Sequence, residues 1–179
     1  MNEPDDKTLM ERCSRGDKQA FETLLARYEK PVYNAAFRML HSQDDARDVT
    51  QTVFLKVFEH LDQYDPQHRL FSWIYRITLN ESINWLKKAN RLEPIQDNMA
   101  DDSGGPETQA GNQELGENMQ AVLMTISPDY RQVVVLKHVL GCSYEEMSEI
   151  LDIPAKTVKS RLYSARQVLK DKLIERGIH

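Results

Sequence analysis

The stretch SYEEMSEILDIPAKTVKSRLYSAR, residues 143–166, decides the fold around it, because it encodes two short amphipathic helices and the break between them. Ser143 can cap a helix N-terminus while Glu146 reaches back to the cap's own N–H, a reciprocal capping box. Met147, Ile150 and Leu151 then share one face. Asp152 can take the left-handed conformation of a tight turn, and Pro154 suits the first turn of a second helix because the amide it lacks would be unpaired there. In that second helix Val158, Leu162, Ala165 and Leu169 recur at helical spacing as a buried stripe, which leaves Lys156, Lys159, Ser160, Tyr163 and Gln167 on the opposite face. Positions 155–172 hold six Lys or Arg against one acid, Asp171, a local charge of +5 in a chain whose total is −5. A capped helix, a turn and a basic second helix make the layout of a helix-turn-helix that lays its second helix in a DNA groove. The competing reading is a helical hairpin with a solvated basic face.

The rest of the composition frames this motif. A chain of 179 residues with 40% apolar content and a mean hydropathy of −0.61 can build one domain or two small ones of a soluble type. The N-terminus, MNEPDDKT, lacks the basic-then-apolar layout of a secretory signal, and the longest apolar run, residues 133–136, is far too short to span a bilayer. The expectation is a cytoplasmic protein without membrane insertion. Cys13 and Cys142 stand far apart with no Cys or His at zinc-ligand spacing, so both read as ordinary thiols of a reducing compartment, with a regulatory disulfide as the alternative.

Residues 93–118 hold seven acids, no Lys or Arg, and four of the seven glycines of the chain. Such a segment buries too little apolar surface to offset its ordering entropy. The expected organisation is therefore an N-terminal domain at 1–92, a flexible acidic linker at 93–114 and a C-terminal domain at 115–179. Both domains are expected to be all-α, because apolar residues recur at three and four and no segment alternates. Asp17 caps a helix carrying Phe21, Leu24, Leu25 and Tyr28, and Pro31 starts another with Val32, Ala35, Ala36, Met39 and Leu40 inward. Ser42 caps a third with Ala46, Val49, Val53, Val57 and Leu61 inward, and a fourth covers about residues 70–90. In the C-terminal domain a helix over 115–126 precedes the cap and first-turn proline Ser127-Pro128, and the next helix ends at Gly141.

Two faces of the N-terminal domain carry further chemistry. On the third helix Asp44, Asp48, Gln51, Thr52, Leu55 and Glu59 form an outward stripe, acidic or neutral with a bare leucine in it. An exposed leucine in a polar stripe suits a protein partner, although single exposed apolar residues are also common. The fourth helix and its approach interleave Phe71, Trp73, Tyr75 and Trp85 with Arg69, Arg76, Lys87, Lys88 and Arg91, with Glu81 as the one acid between positions 68 and 91. Aromatics beside cations suit unstacked bases, though several of these rings can equally be core.

These residues resemble a known family. DDARDVTQTVFLKVFEHL resembles the polymerase-binding helix of bacterial sigma factors, FSWIYRITLNESINWLKK their promoter-melting and minus-ten-reading segment, and residues 127–173 their minus-thirty-five-reading domain. Two such domains with only a short linker between them are similar to the extracytoplasmic-function, group 4, sigma factors. The resemblance covers residues 18–90 and 115–173.

The resemblance implies two helical domains, named regions 2 and 4 in that family, and a set of contacts. Asp48, Gln51, Thr52, Phe54 and Leu55 match the positions that meet the clamp helices of the largest polymerase subunit. The loop 63–70 matches the one that captures a base flipped from the minus-ten element, an unpairing that costs a few kcal/mol. Arg69, Trp73, Arg76, Asn80, Asn84, Lys87 and Lys88 fall in the segment for minus-ten DNA. Lys156, Thr157, Lys159, Ser160 and Tyr163 match the major-groove positions, with Arg161 and Arg166 on phosphates. Arg47, Thr52, Asn84, Ser148 and Asp152 depart from the residues most usual in the family at their places.

The function so implied is a dissociable, non-catalytic initiation subunit that binds core RNA polymerase and promoter DNA and is held by an anti-sigma partner. It needs no cofactor, metal or small-molecule substrate. The alternative is a stand-alone helix-turn-helix regulator that binds palindromic DNA without polymerase. An enzyme is disfavoured, since there is no Gly-rich phosphate loop, His-Glu zinc pair or nucleophile elbow.

Overall fold

The computed structural model describes residues 3–92 and 110–178; the segment 93–109, most of the expected linker, lies outside the described residues. The described residues form helices α1 (Asp6–Ser14), α2 (Lys18–Leu40), α3 (Gln43–Glu59), α4 (Leu70–Leu92), α5 (Ala110–Met124), α6 (Pro128–Val134), α7 (Tyr144–Leu151) and α8 (Ala155–Glu175). A 3-10 turn at Leu61–Gln63 follows α3, and a wider π turn at Val135–Val139 extends α6. Among the described residues there is no strand.

Local chemistry starts most of these helices. Asp17 accepts from the Ala20 amide at 3.1 Å, Ser42 from Asp45 at 3.2 Å and Ser127 from Tyr130 at 3.3 Å, each satisfying an amide that the helix cannot pair itself. Helix α1 precedes those expected; Asp5 caps it, and Gly16 at φ +82° turns the chain into α2. Its Asp6 carboxylate takes Arg27 at 2.7 Å and the Tyr28 hydroxyl at 2.5 Å, fastening α1 across α2.

The structure corrects the expected break at Pro31. Helix α2 runs through it without interruption. Proline there deletes one backbone hydrogen bond and costs about 3 kcal/mol. Tyr28 and Val32, Ala35, Ala36 and Met39 on either side of it are buried, and that packing against α3 and α4 outweighs the local loss. A smaller difference is that Pro154 stands at the N-cap, ahead of the first turn of α8. Helix α5 begins at Ala110, ahead of the boundary expected at 115.

Helices α2, α3 and α4 pack on one another through small residues. Ala20, Ala35, Ala36 and Ala46 are wholly buried, and the buried hydroxyls of Thr50, Thr78 and Ser82 donate back to carbonyls of their own helices at 2.7–2.8 Å. In the C-terminal part Val158, Leu162, Ala165 and Leu169 of α8 are buried as expected, against α6, α7 and α5. The two parts also touch: α2 meets α5 and α6, and α4 meets α7.

One buried guanidinium, that of Arg131, is among the groups that join them. Arg131, 4% exposed, donates to the carbonyls of Leu123 (3.1 Å), Met124 (3.0 Å) and Ile126 (3.1 Å) at the end of α5 and of Met39 (2.6 Å) at the end of α2. The carbonyls at a helix C-terminus have no partner within the helix and carry partial negative charge, so a buried cation is stable there. Its burial pushes the Arg131 pKa down, and the guanidinium nevertheless stays charged.

Both thiols are buried, and desolvation raises them, Cys142 to about 11. The native protein should therefore react with an aromatic disulfide reagent at pH 7.5 on the order of a hundredfold more slowly than free cysteine, with full reactivity regained in denaturant. Fast native labelling would contradict that burial.

Candidate nucleic-acid interface

The helix-turn-helix forms as its sequence dictates. Ser143 Oγ accepts from the Glu146 amide at 3.1 Å, and the Glu146 carboxylate accepts from the Ser143 amide at 2.8 Å. Asp152 is left-handed at φ 54°, and Ser148 ties the turn by donating to the Ile153 carbonyl at 2.5 Å. With the stripe of α8 buried, Lys156, Thr157, Lys159, Ser160 and Tyr163 all project into solvent. Arg166 is exposed and donates to His138 at 3.2 Å. Arg161 is half-buried and turns away from that face, into a cleft it shares with Asn80, Asn84 and Lys87 of α4.

Tyr144, at the start of α7, is a contact that the spacing of α8 does not reveal. Two cations stand over its ring, with Lys137 Nζ 4.7 Å and Lys159 Nζ 5.3 Å from the centroid. Each ammonium is drawn to the ring's electron-rich face. Lys159 is thus held at the base of the exposed face of α8.

On α4 the residues Trp73, Arg76, Asn80, Asn84 and Lys87 recur at three and four and form one face, with Arg69 above and Lys88 beside it. Arg69, Arg76, Asn80, Asn84, Lys87 and Lys88 are exposed and Trp73 is half-buried. In the approach loop Tyr64 stands against Trp73 at 5.5 Å between centroids, and its hydroxyl donates to the His68 carbonyl at 2.7 Å. Tyr75 is core, and burial lifts its pKa to about 12. The first turns of the α4 face do not stand open: Arg69 binds Glu146, and Arg76 binds the carbonyls of Glu149 and Ile150 on α7.

On α3 the stripe is largely as its spacing dictates, with Asp48 and Gln51 exposed, Leu55 62% exposed and Thr52 half-buried, its hydroxyl on the Asp48 carbonyl. Phe54 is the correction: it is 5% exposed and lies in the core beneath the stripe. Phe58 takes the surface place expected of it, 59% exposed beside Leu55, with its ring edge-on to Phe21 of α2 at 5.2 Å. Lys56 and Glu81 pair across α3 and α4.

Comparison with known proteins shows the family. Residues 24–92 match the family model of Sigma-70 region 2, and residues 116–169 that of Sigma-70, region 4. The chain belongs to the sigma-70 family, in its extracytoplasmic-function branch, and is an alternative sigma factor that directs promoter-specific transcription initiation. It is 32% identical to the ECF RNA polymerase sigma-E factor of Escherichia coli over 94% of both chains. It is 30% identical to the factor of that name from Haemophilus influenzae over 94% of this chain and 95% of the relative. Among solved structures it is similar to CnrH in complex with the cytosolic domain of CnrY, at 26% identity and a TM-score of 0.73 over 95% of this chain and 97% of that one. The sigma factor RpoE of Bartonella quintana, solved with the anti-sigma factor NepR, shares the fold at 22% identity and a TM-score of 0.70 over 86% of this chain and 96% of that one. No helix among the described residues is long and apolar enough to cross a membrane.

Proposed function

We propose that the α3 stripe of Asp48, Gln51, Thr52 and Leu55, extended by Phe58, binds the clamp helices of core RNA polymerase. The α4 face of Arg69, Trp73, Arg76, Asn80, Asn84, Lys87 and Lys88, with the loop 63–70, holds and opens the minus-ten element. Lys156, Thr157, Lys159, Ser160 and Tyr163 enter the major groove of the minus-thirty-five element and Arg166 holds a phosphate, whereas Arg161, turned toward α4, is left out of that contact. The chain works in the cytoplasm, performs no catalysis of its own, and is held inactive by an anti-sigma partner that covers these faces; the relatives solved with such partners support that reading.

The observation that carries this reading is the sorting of surface chemistry by helix. Carboxylates and a bare leucine lie on α3, aromatics and cations on α4, and lysines and a bare tyrosine on α8. Covalent linkage of the two domains in one chain would join two weak DNA contacts into one strong one through effective concentration.

The deciding experiment is run-off transcription from fragmented genomic DNA by core polymerase with and without this protein. New discrete start sites are expected. No new starts, with specific fragments bound by the protein alone, would instead make it a free-standing regulator. With a promoter in hand, Lys159→Ala should cost about 1–3 kcal/mol of discrimination at a single minus-thirty-five base pair, roughly 5- to 150-fold. An unaltered base preference across a randomised element would remove Lys159 from the reading set.

A further inference from the structure

Buried polar side chains among the described residues are matched with partners, with one exception. Thr50, Thr78 and Ser82 bond to their own helices, Ser72 faces Glu149, Gln120 pairs with Arg38, and Arg131 binds carbonyls of two helix ends. Gln132 of α6, 6% exposed, has no hydrogen-bond partner within the protein. A carboxamide that gives up water on folding without gaining a partner is costly, and its retention calls for a reason.

Gln132 lines a cleft of about 860 Å³ between α4 on one side and α6, α8 and the end of α7 on the other. That volume suits a small organic molecule rather than a single water. Asn80, Asn84 and Lys87 face the cleft from α4, Arg161 from α8 and Asp129 from the start of α6. None of these five side chains has a hydrogen bond or ion pair within the protein, although Arg161 is half-buried. Half-buried Ile83, Leu86 and Leu151 supply apolar surface to the same space.

We propose that this cleft binds a free nucleotide. Arg161 and Lys87 take its phosphates, the first as a fork and the second as a point charge. Gln132 pairs with the base edge, because a carboxamide presents a donor and an acceptor side by side as a nucleobase does. Asp129 accepts from the ribose hydroxyls. The apolar side chains cover the base. A bare phosphate would leave Gln132 and the apolar surface unused and would be repelled by Asp129, and an apolar ligand would strand both cations. The nucleotide is an effector, since no group in the cleft is set to act on it. Asn80, Asn84 and Lys87 also belong to the proposed minus-ten face, so nucleotide and promoter strand exclude each other there. That consequence rests on the reading of α4; binding through Arg161 and Gln132 does not.

The test is calorimetric titration of the full chain with ADP, GDP, CDP and UDP, and with adenosine and inorganic pyrophosphate, without divalent cations. At least one diphosphate should bind one to one with a Kd on the order of 10–100 μM. Adenosine and pyrophosphate, each carrying half of the contacts, should bind at least about tenfold more weakly than it does. Arg161→Gln should weaken the diphosphate by at least about tenfold, and the control Lys170→Gln, the same charge change at an exposed position of α8, by less than about twofold. Gln132→Leu, close in volume, should bring the four diphosphates within about threefold of one another. Thermal unfolding checks each fold; should Gln132→Leu fail to fold, Arg161→Gln, at a residue without a partner, decides alone.

Absence of binding by all four diphosphates at millimolar concentration would overturn the proposal. So would pyrophosphate binding as tightly as any diphosphate, which would make the cleft a plain anion site, or tight diphosphate binding that ignores Arg161→Gln in a folded variant. Arg161-dependent binding of a short oligothymidine, with no free nucleotide bound, would overturn it by assigning the cleft to a strand. Saturating nucleotide should weaken oligothymidine binding by the wild type; unchanged strand affinity would overturn the exclusion and leave the nucleotide site standing.

Discussion

Replacing Arg131 by alanine is expected to destabilise the protein by about 3–5 kcal/mol. The guanidinium satisfies four carbonyls at once, from Leu123, Met124, Ile126 and Met39. Alanine deletes the charge and leaves those acceptors at a buried site, each costing about 1–3 kcal/mol unless water reaches it. For a chain of this size the thermal midpoint should fall by roughly 10 °C. Lysine should rescue little, because one ammonium is a compact point donor and cannot span acceptors on two helices as the planar fork does. Calorimetry of the two variants decides the matter; a shift under about 3 °C for alanine would mean that solvent replaces the guanidinium.

The second large effect is functional. Leu55→Asp should weaken binding to core polymerase by at least about 2 kcal/mol, some thirtyfold, without changing stability. Leu55 is exposed in the free protein, so its loss removes little from the core, and an aspartate there would be desolvated without a partner if the leucine seats in an apolar notch of the polymerase. The comparison that separates binding from folding is Phe58→Asp. Phe58 also packs on Phe21, so that variant should lose both core affinity and some stability. Fluorescence titration against core enzyme, alongside thermal unfolding, gives both numbers. Core affinity unchanged by Leu55→Asp would place the polymerase contact on another face.

The two effects separate the roles of the molecule's apolar and polar surfaces. Arg131 is a buried cation whose work is structural, placed at the ends of α2 and α5 where the helices leave acceptors bare. Leu55 is an exposed apolar group whose work is outside the chain. Each breaks the usual sorting of residues by polarity, and each has a physical reason to do so.

The residues alone were enough wherever the deciding interaction spans one turn of helix. Asp17, Ser42, Ser127 and Ser143 cap the helices expected of them because donor and acceptor lie only three residues apart. Asp152 turns the chain, and Val158, Leu162, Ala165 and Leu169 go inward, because the helical period alone puts them on one face. The exposed lysines of α8 and the cationic face of α4 follow from the same period. Packing decided what local propensity could not. Pro31 ends a helix by its own chemistry, yet burial of Tyr28, Val32 and Ala35 carries α2 past it. Phe54 and Phe58 lie one turn apart on α3, and only the position of neighbouring helices near its end sends the first inward and the second out. The pairings of Arg131 with Met39, of Arg69 with Glu146 and of Arg76 with Glu149 join positions 92, 77 and 73 residues apart. No periodicity encodes such partners. They exist because the fold brings a helix end or a ridge of carboxylates to a guanidinium, and so they belong to the tertiary structure alone.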